Sequence, residues 1–312
     1  IPLDLYYNIS DEDYVNVWSQ SHAGGLPQNQ VLPTASELKL ATYSLDAAVS
    51  FDRRYAAKSR MDVVSKTFTR VAQEILLKQE RTSATLLLTA LANASTTVNS
   101  IAHQHVQWSN ANGRFVLADL NELLTLAKRI NTSWVGGTPT ERKKGITDLI
   151  VSPEIVQELR AMAYNPINTA AAPYASAVKD SIPATDEMRN AVYSNAGLPE
   201  FYGVSIMEIN ELGTGQKFNT IFDTAASTTE YTKADGTDPF VFTGDTNQIL
   251  VGVDRTRDSL IRAVATDAEN GSEFTLIADD QYSLRQNKIG YFGAMEEGRV
   301  VLDNRALVGK IV

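Results

Sequence analysis

From Asp62 to Ala94 the sequence contains neither glycine nor proline, and no other feature narrows the choice of fold so far. The stretch "SRMDVVSKTFTRVAQEILLKQERTSATLLLTALANAS" reads as one helix, opened by Ser59 with Asp62 three residues on, the spacing of a capping box. A helix of that length extends about 50 Å, longer than is usual in a small domain. Val64, Phe68, Val71 and Ile75 form an apolar stripe that fades across "KQERTSAT" before Leu86, Leu87, Leu88 and Leu91 resume it. The two ends therefore pack on different things, and the break argues against a coiled coil, which needs an uninterrupted heptad.

The segments before this helix lack a core of their own. Residues 1–35 show no sustained periodicity and contain Gly24, Gly25, Pro27 and Pro33, so they read as an extended arm. In "SELKLATYSLDAAVSFDRRYAAKS", Leu38 and Leu40 alternate with charged residues, and Val49, Phe51 and Tyr55 recur at even spacing. That period predicts a two-stranded hairpin connected near Asp46, with Arg53 and Arg54 on opposite faces. Two strands alone are marginal in water, and the neighbouring sequence offers no third, so the hairpin has to lie on another surface.

Beyond the long helix, "LADLNELLTLAKRIN" predicts an amphipathic helix. "ITDLIVSPEIVQELRAMA" predicts a buried strand and then a helix with Pro153 in its first turn. "PATDEMRNAVYSNAG" reads as a helix stopped by Gly197, and "FYGVSIMEI" as a strand. Residues 213–246, rich in Thr, Ala, Asp and Gly, read as a long surface excursion. From "QILVGV" onward the signals are mostly strand, with Asn270-Gly271 as a turn and alternating pieces to the last residue. The fold class is α+β.

Little in the sequence asks for chemistry. A chain of 312 residues can bury one large core or two modest ones. It has no cysteine, hence no disulfide framework, thiolate metal site or cysteine nucleophile. A net charge of −9 repels nucleic acid phosphates, and no run approaches the roughly 20 apolar residues of a membrane helix. The densest basic run, Arg142-Lys143-Lys144, reads as a solvated loop, with no strand and helix to frame it as a nucleotide site. The histidines are His22, His103 and His105; the last two share one face of a strand, but two ligands with no nearby acid are too few for a metal. "GTGQKF" lacks the third glycine and the helix of a phosphate loop, and reads as a turn. The pairs Glu296-Glu297 and Asp279-Asp280 read as solvated turn charge. No nucleophile elbow or zinc-protease motif is present, so neither catalysis nor a cofactor or metal is expected.

In their order, the pieces carry a resemblance. An arm, a two-stranded loop, a long helix, a middle with "LIVSPEIVQEL", a strand of the "ILVGVD" kind and a closing "SLRQNKIGYFGAMEEGRVVLDNRALVGKIV" are similar to the major capsid protein of tailed bacteriophages, the Hong Kong 97-type fold. The resemblance spans nearly the whole chain and rests on arrangement, not on an invariant motif. It implies an N-terminal arm at 1–35, an extended loop hairpin at 36–60, a spine helix and peripheral domain at 61–115, a mainly axial domain at 116–279, and a return to the peripheral domain at 280–312. It also implies self-assembly as hexamers and pentamers into an icosahedral shell around double-stranded DNA bound without sequence specificity. The implied partners are a portal and cement proteins, with no membrane, and the implied location is the virion, assembled in the host cytoplasm.

Many members of that family lose an N-terminal scaffolding segment to a protease, which would make Ile1 a new end. In such a shell, Leu3, Leu5, Tyr6, Tyr7 and Trp18, too apolar for a free tail, dock on an adjacent subunit, and at least one of Arg53 and Arg54 meets a neighbour's carboxylates. One branch of the family also cross-links a loop lysine, here Lys39 or Lys58, to a neighbour's asparagine. An encapsulin nanocompartment shell shares the resembling fold. A soluble α/β enzyme or solute-binding protein would account for the middle of the chain while leaving the arm and hairpin unexplained.

Overall fold

The glycine- and proline-free stretch folds as one helix, α1, running Asp62–Ala92 over 31 residues. The computed structural model describes residues 2–5, 36–54, 62–98, 100–110, 113–130, 145–162, 186–187, 190, 200–201, 203–256, 259–266, 272–279 and 286–312. These fall into two units: 2–5, 36–86 and 260–300 in the first, 87–259 and 301–312 in the second. The two-part apolar stripe of α1 has its counterpart here, because the first unit takes Ile75 and Gln79 as buried residues and the second takes Leu88, Leu91 and Ala92. Residues 286–312 are shared between the units, dividing after residue 300.

In the first unit the expected hairpin is not formed. Tyr43–Asp52 is a single ten-residue strand that runs straight through Asp46, where no Gly, Pro or Asn is present to turn the chain. Its partner lies far along the sequence: it pairs antiparallel with Lys288–Val301, from Tyr43 opposite Glu297 to Asp52 opposite Lys288. The long strand also carries Thr275–Asp279, with Ile277 opposite Phe292, and Leu260–Val264 completes a four-stranded sheet. Ser36–Lys39 pairs instead with Pro2–Leu5, so the start of the expected arm is a strand, with Leu3 opposite Leu38. Alternation in Tyr43–Asp52 is strict: Tyr43, Leu45, Ala47 and Val49 are half-buried, while Ser44, Asp46, Ala48 and Ser50 are exposed.

The second unit is built on a mixed six-stranded sheet in the order Val106–Trp108, Leu307–Ile311, Ile249–Val253, Asp148–Val151, Val204–Glu208, Glu200–Phe201. Two adjacent interior strands, Ile249–Val253 and Leu307–Ile311, are buried at every position, and they read in sequence as nearly unbroken apolar runs. Helix α2, Leu117–Ile130, buries Leu120, Leu123, Leu126, Ala127 and Ile130 in the same core as Leu149, Val151, Leu250 and Val308. Pro153 is the first residue of helix α3, Pro153–Met162, where its missing N–H has no intrahelical acceptor to lose. Its Ile155, Val156 and Leu159 join that core. Gly309 lets two layers meet, since a Cβ there would lie 3.0 Å from Leu91 Cδ2 and 3.2 Å from Ile249 Cδ1.

The expected excursion at 213–246 is folded. It contains helix α4, Lys217–Ala226, whose Phe218, Phe222 and Ala226 are buried at four-residue spacing. Phe222 meets Phe242 edge-on at 4.8 Å, and the Tyr231 hydroxyl donates to Ala92 O at 2.8 Å. Two short strands, Glu230–Tyr231 and Phe240–Val241, pair antiparallel after the helix. Thr-rich composition hid these elements because two phenylalanines and tertiary packing, not helix propensity, hold them. The expected helix at 183–197 and the turn at Asn270-Gly271 lie largely or wholly outside the described residues.

Candidate functional site: an open sheet face and buried charges

A sheet with a helix on one face must do something with the other. Along Lys288–Val301 the odd positions Gly293, Met295 and Glu297 are buried, and Tyr291 is half-buried with its ring edge-on to Phe68 of α1 at 4.7 Å. The even positions Phe292 and Glu296 are exposed. Phe292 sits opposite both Ala48 and Ile277, so the three share one face. Phe292 is 37% and Ile277 57% exposed, and Ala48 on the other side of Phe292 is exposed too, an apolar strip on the open face. Among the described residues, no strand pairs with the outer edge of Tyr43–Asp52, where every second residue of the ten-residue strand turns its backbone donor and acceptor outward, without a Lys or Pro to block pairing.

Arg53 and Arg54 lie just beyond that strand and are exposed. They occupy a helical turn, so the alternation that would have put them on opposite faces has already ended at Asp52. Their backbone is fixed: Arg53 N donates to Asn287 O at 3.1 Å and Arg54 N to Asp52 Oδ1 at 2.9 Å. Leu3 and Leu5 are in the Pro2–Leu5 strand. Tyr6, Tyr7, Trp18, His22, Lys58 and the run Arg142-Lys143-Lys144 lie outside the described residues.

Glu297 overturns the expectation of solvated turn charge. It stands in the middle of a strand and is fully buried, whereas its neighbour Glu296 is exposed and accepts from Thr42 Oγ1 at 2.7 Å. Five bonds converge on the Glu297 carboxylate: Tyr43 Oη at 2.9 Å, Gln79 Nε2 at 3.3 Å, Arg262 Nε at 3.0 Å, Arg299 Nε at 3.2 Å and Arg299 Nη2 at 3.1 Å. Burial by itself would raise its pKa, but the bonds from Arg299, Tyr43 and Arg262 outweigh burial and hold it below the ordinary carboxylate value. The same burial, with the bond to Glu297, pushes the Tyr43 phenol up.

The second unit has a buried charge of the opposite sign. Lys310, in the central strand Leu307–Ile311, is fully buried, with Nζ 2.6 Å from Glu122 Oε2 and 3.5 Å from Asp119 Oδ1, both on α2. Asp119 is itself fully buried and accepts from Ser109 Oγ and the backbone of Asn110 and Val116, so it also caps the start of α2. Hidden in an apolar strand, this lysine carries no sequence signal beyond its position amid "ALVGKIV".

The histidines do not form the start of a metal site. The strand breaks between Gln104 and Val106, and His105 turns inward, its Nδ1 3.0 Å from Leu307 O and its Nε2 2.7 Å from Thr96 Oγ1. Burial holds its pKa below the usual histidine value, so the ring is a neutral structural linker. No cluster of three His, Cys, Asp or Glu able to hold a metal occurs among the described residues. The glycine turn at Gly213 and Gly215 does lead into a helix, α4, contrary to expectation. Even so, a Cβ on Gly213 would lie 2.9 Å from Glu154 Oε2, which places a carboxylate where a phosphate would need the opposite charge. No described helix is long and apolar enough to cross a membrane.

No family model matches this sequence, and no curated protein matches it. Solved structures do. The capsid of cyanophage P-SCSP1u aligns with a TM-score of 0.53 at 14% identity, over 95% of this chain and 80% of that one. Microbacterium phage Oxtober96 aligns at a TM-score of 0.49 and 12% identity, over 100% of this chain and 82% of that one. The SrpI encapsulin of Synechococcus elongatus aligns at 0.47 and 11%, over 89% and 76%. The likeness to the cyanophage capsid gives the fold: α+β, of the Hong Kong 97 type expected from the order of the pieces.

Proposed function

We propose that this chain is the major capsid protein of a tailed bacteriophage, and that copies of it close as hexamers and pentamers into an icosahedral shell around double-stranded DNA. The observation that carries this reading is a fold shared with a cyanophage capsid over 95% of the chain. The first unit supports it physically. An apolar strip on an open sheet face and a ten-residue strand with one free edge are liabilities in a monomer but become contacts when identical subunits surround one another.

In such a shell at least one of Arg53 and Arg54 reaches a neighbour's carboxylates, and the arm residues Leu3, Leu5, Tyr6, Tyr7 and Trp18 dock on an adjacent subunit. Acidity suits a container: subunits of net charge −9 do not as a whole attract the packaged DNA, which has to enter and leave. A portal and cement proteins would complete the particle, located in the virion. Native mass spectrometry and electron microscopy of the purified chain test the reading, with closed shells of hexamers and pentamers as the expected result. Monomers alone, across assembly-permissive salt and pH, refute it. Shells holding a protein cargo in place of DNA, when isolated from the native host, would assign the chain to the encapsulin class.

A further inference from the structure

We propose that a polar cleft in the second unit is a carboxylate-binding site, filled in the assembled particle by an acidic side chain of a second copy; the last clause rests on the shell reading above. The cleft, of about 410 Å³, is lined by His103, Gln107, Asn121, Glu122, Thr125 and Arg129, with Leu126 and Ala234 completing its wall. Its chemistry is less balanced than this composition suggests. Glu122, the one acid, is already engaged from behind, accepting from Lys310 Nζ and from Asn110 Nδ2, each at 2.6 Å. Lys310 is fully buried between Glu122 and Asp119, so it offsets part of the Glu122 charge without lining the cleft itself.

What remains is a cation and hydrogen-bond donors, beside one buried acceptor, Gln107 Oε1, that has no hydrogen-bond partner among the described residues. Arg129, in the last turn of α2, is exposed and has no ion pair among the described residues. His103, half-buried on the strand Ile101–Gln104, adds an imidazole N–H. A planar guanidinium with its donors unpaired is matched best by a carboxylate, which it can hold with two parallel bonds. The source follows from charge. With 37 acidic residues against 28 basic ones, another copy offers more carboxylates than cations, and an arginine with no ion pair among the described residues is complementary to them.

The test titrates isotope-labelled unassembled chain with N-acetylglutamate, N-acetylglutamine and inorganic phosphate, following the amides of α2 and the Gln107 side chain by NMR. The same probes are then applied to assembled particles. The expected result is saturable binding of N-acetylglutamate to the unassembled chain, none of the neutral amide, and weaker binding of phosphate. Arg129→Gln should weaken the carboxylate about fivefold or more, leave the thermal unfolding of the chain unchanged, and lower the yield of particles. Assembled particles should bind no probe, since the cleft is filled.

Equal binding of the glutamate and glutamine probes, or an unaltered affinity in Arg129→Gln, overturns the site. Tighter binding of phosphate overturns its carboxylate preference. Particles that bind the probe as well as the free chain does overturn the second copy as its source and point to a small free anion. If no particles form at all, the shell reading fails and takes the second copy with it, while the titration of the free chain still decides the carboxylate site.

Discussion

Replacing Glu297 by Leu should destabilise the first unit by about 3–5 kcal/mol, the cost of removing one partner from a buried ion pair. The magnitude cannot be a sum of bonds. Five bonds to a charged group at about 1.5–3 kcal/mol each would rival the whole stability of a domain, so the donors must share one stabilisation. The loss falls unevenly. The Arg262 side chain is 40% exposed and also lies 3.6 Å from Glu273, so it can turn to water, whereas that of Arg299 is 13% exposed and would be left charged and largely dry. Replacing Arg299 by Leu as well should therefore recover part of the loss.

Hydrogen exchange read by mass spectrometry localises the effect. Peptides covering 43–52 and 288–301 should exchange about a hundredfold faster or more, because each 1.4 kcal/mol is tenfold, while peptides covering 249–253 should be unchanged. Glu296→Leu, one residue away, is the control and should change exchange less than about threefold, as an exposed position does. Equal acceleration in the two variants, or none in Glu297→Leu, would refute the argument that burial separates these adjacent carboxylates. The acid limb adds a sign. Because the folded pKa of Glu297 lies below its unfolded value of about 4.3, its contribution is complete above that pH and disappears as pH falls through the folded value.

Lys310→Met should cost the second unit about 3–5 kcal/mol by stranding the buried Asp119, read as a lowered urea midpoint followed by Trp108 fluorescence. His105 titrates in a separate window: its folded pKa is depressed below about 6.5, so stability is full above that pH and declines as pH falls toward the folded value. His105→Gln should flatten stability as pH falls below about 6.5 even though it lowers the overall level. Arg53→Ala with Arg54→Ala should leave the monomer's unfolding midpoint within about 0.5 kcal/mol of the parent, as expected of exposed side chains, while reducing particle yield in light scattering.

What was legible in the sequence follows from the range of the interactions involved. Helix α1, helix α2 and the strand leading into Pro153 announce themselves by periodicity and by the placement of Gly and Pro, all within a few residues. The partner of Tyr43–Asp52 could not be read, because strand pairing carries no local signature and the partner begins at Lys288. The reading that no third strand supports that segment failed for the same reason. Glu296 and Glu297 are indistinguishable as letters; only the alternation of a strand, itself mistaken for a turn, sends one to solvent and the other inward. Helix α4 was missed because its two buried phenylalanines lie among threonines that usually mark loops.

The pairing of Tyr43–Asp52 with Lys288–Val301, and of Ile249–Val253 with Leu307–Ile311, sets a timetable for biosynthesis. Neither sheet can be completed until nearly all 312 residues have left the ribosome, so the emerging chain must carry half-built sheets through most of its synthesis. Contacts separated by so much chain also form slowly once available. During that interval the free edge of Tyr43–Asp52 is exposed together with others that the native fold covers. A cell making many copies at once therefore faces a race between closing each sheet within its own chain and borrowing a strand from the next.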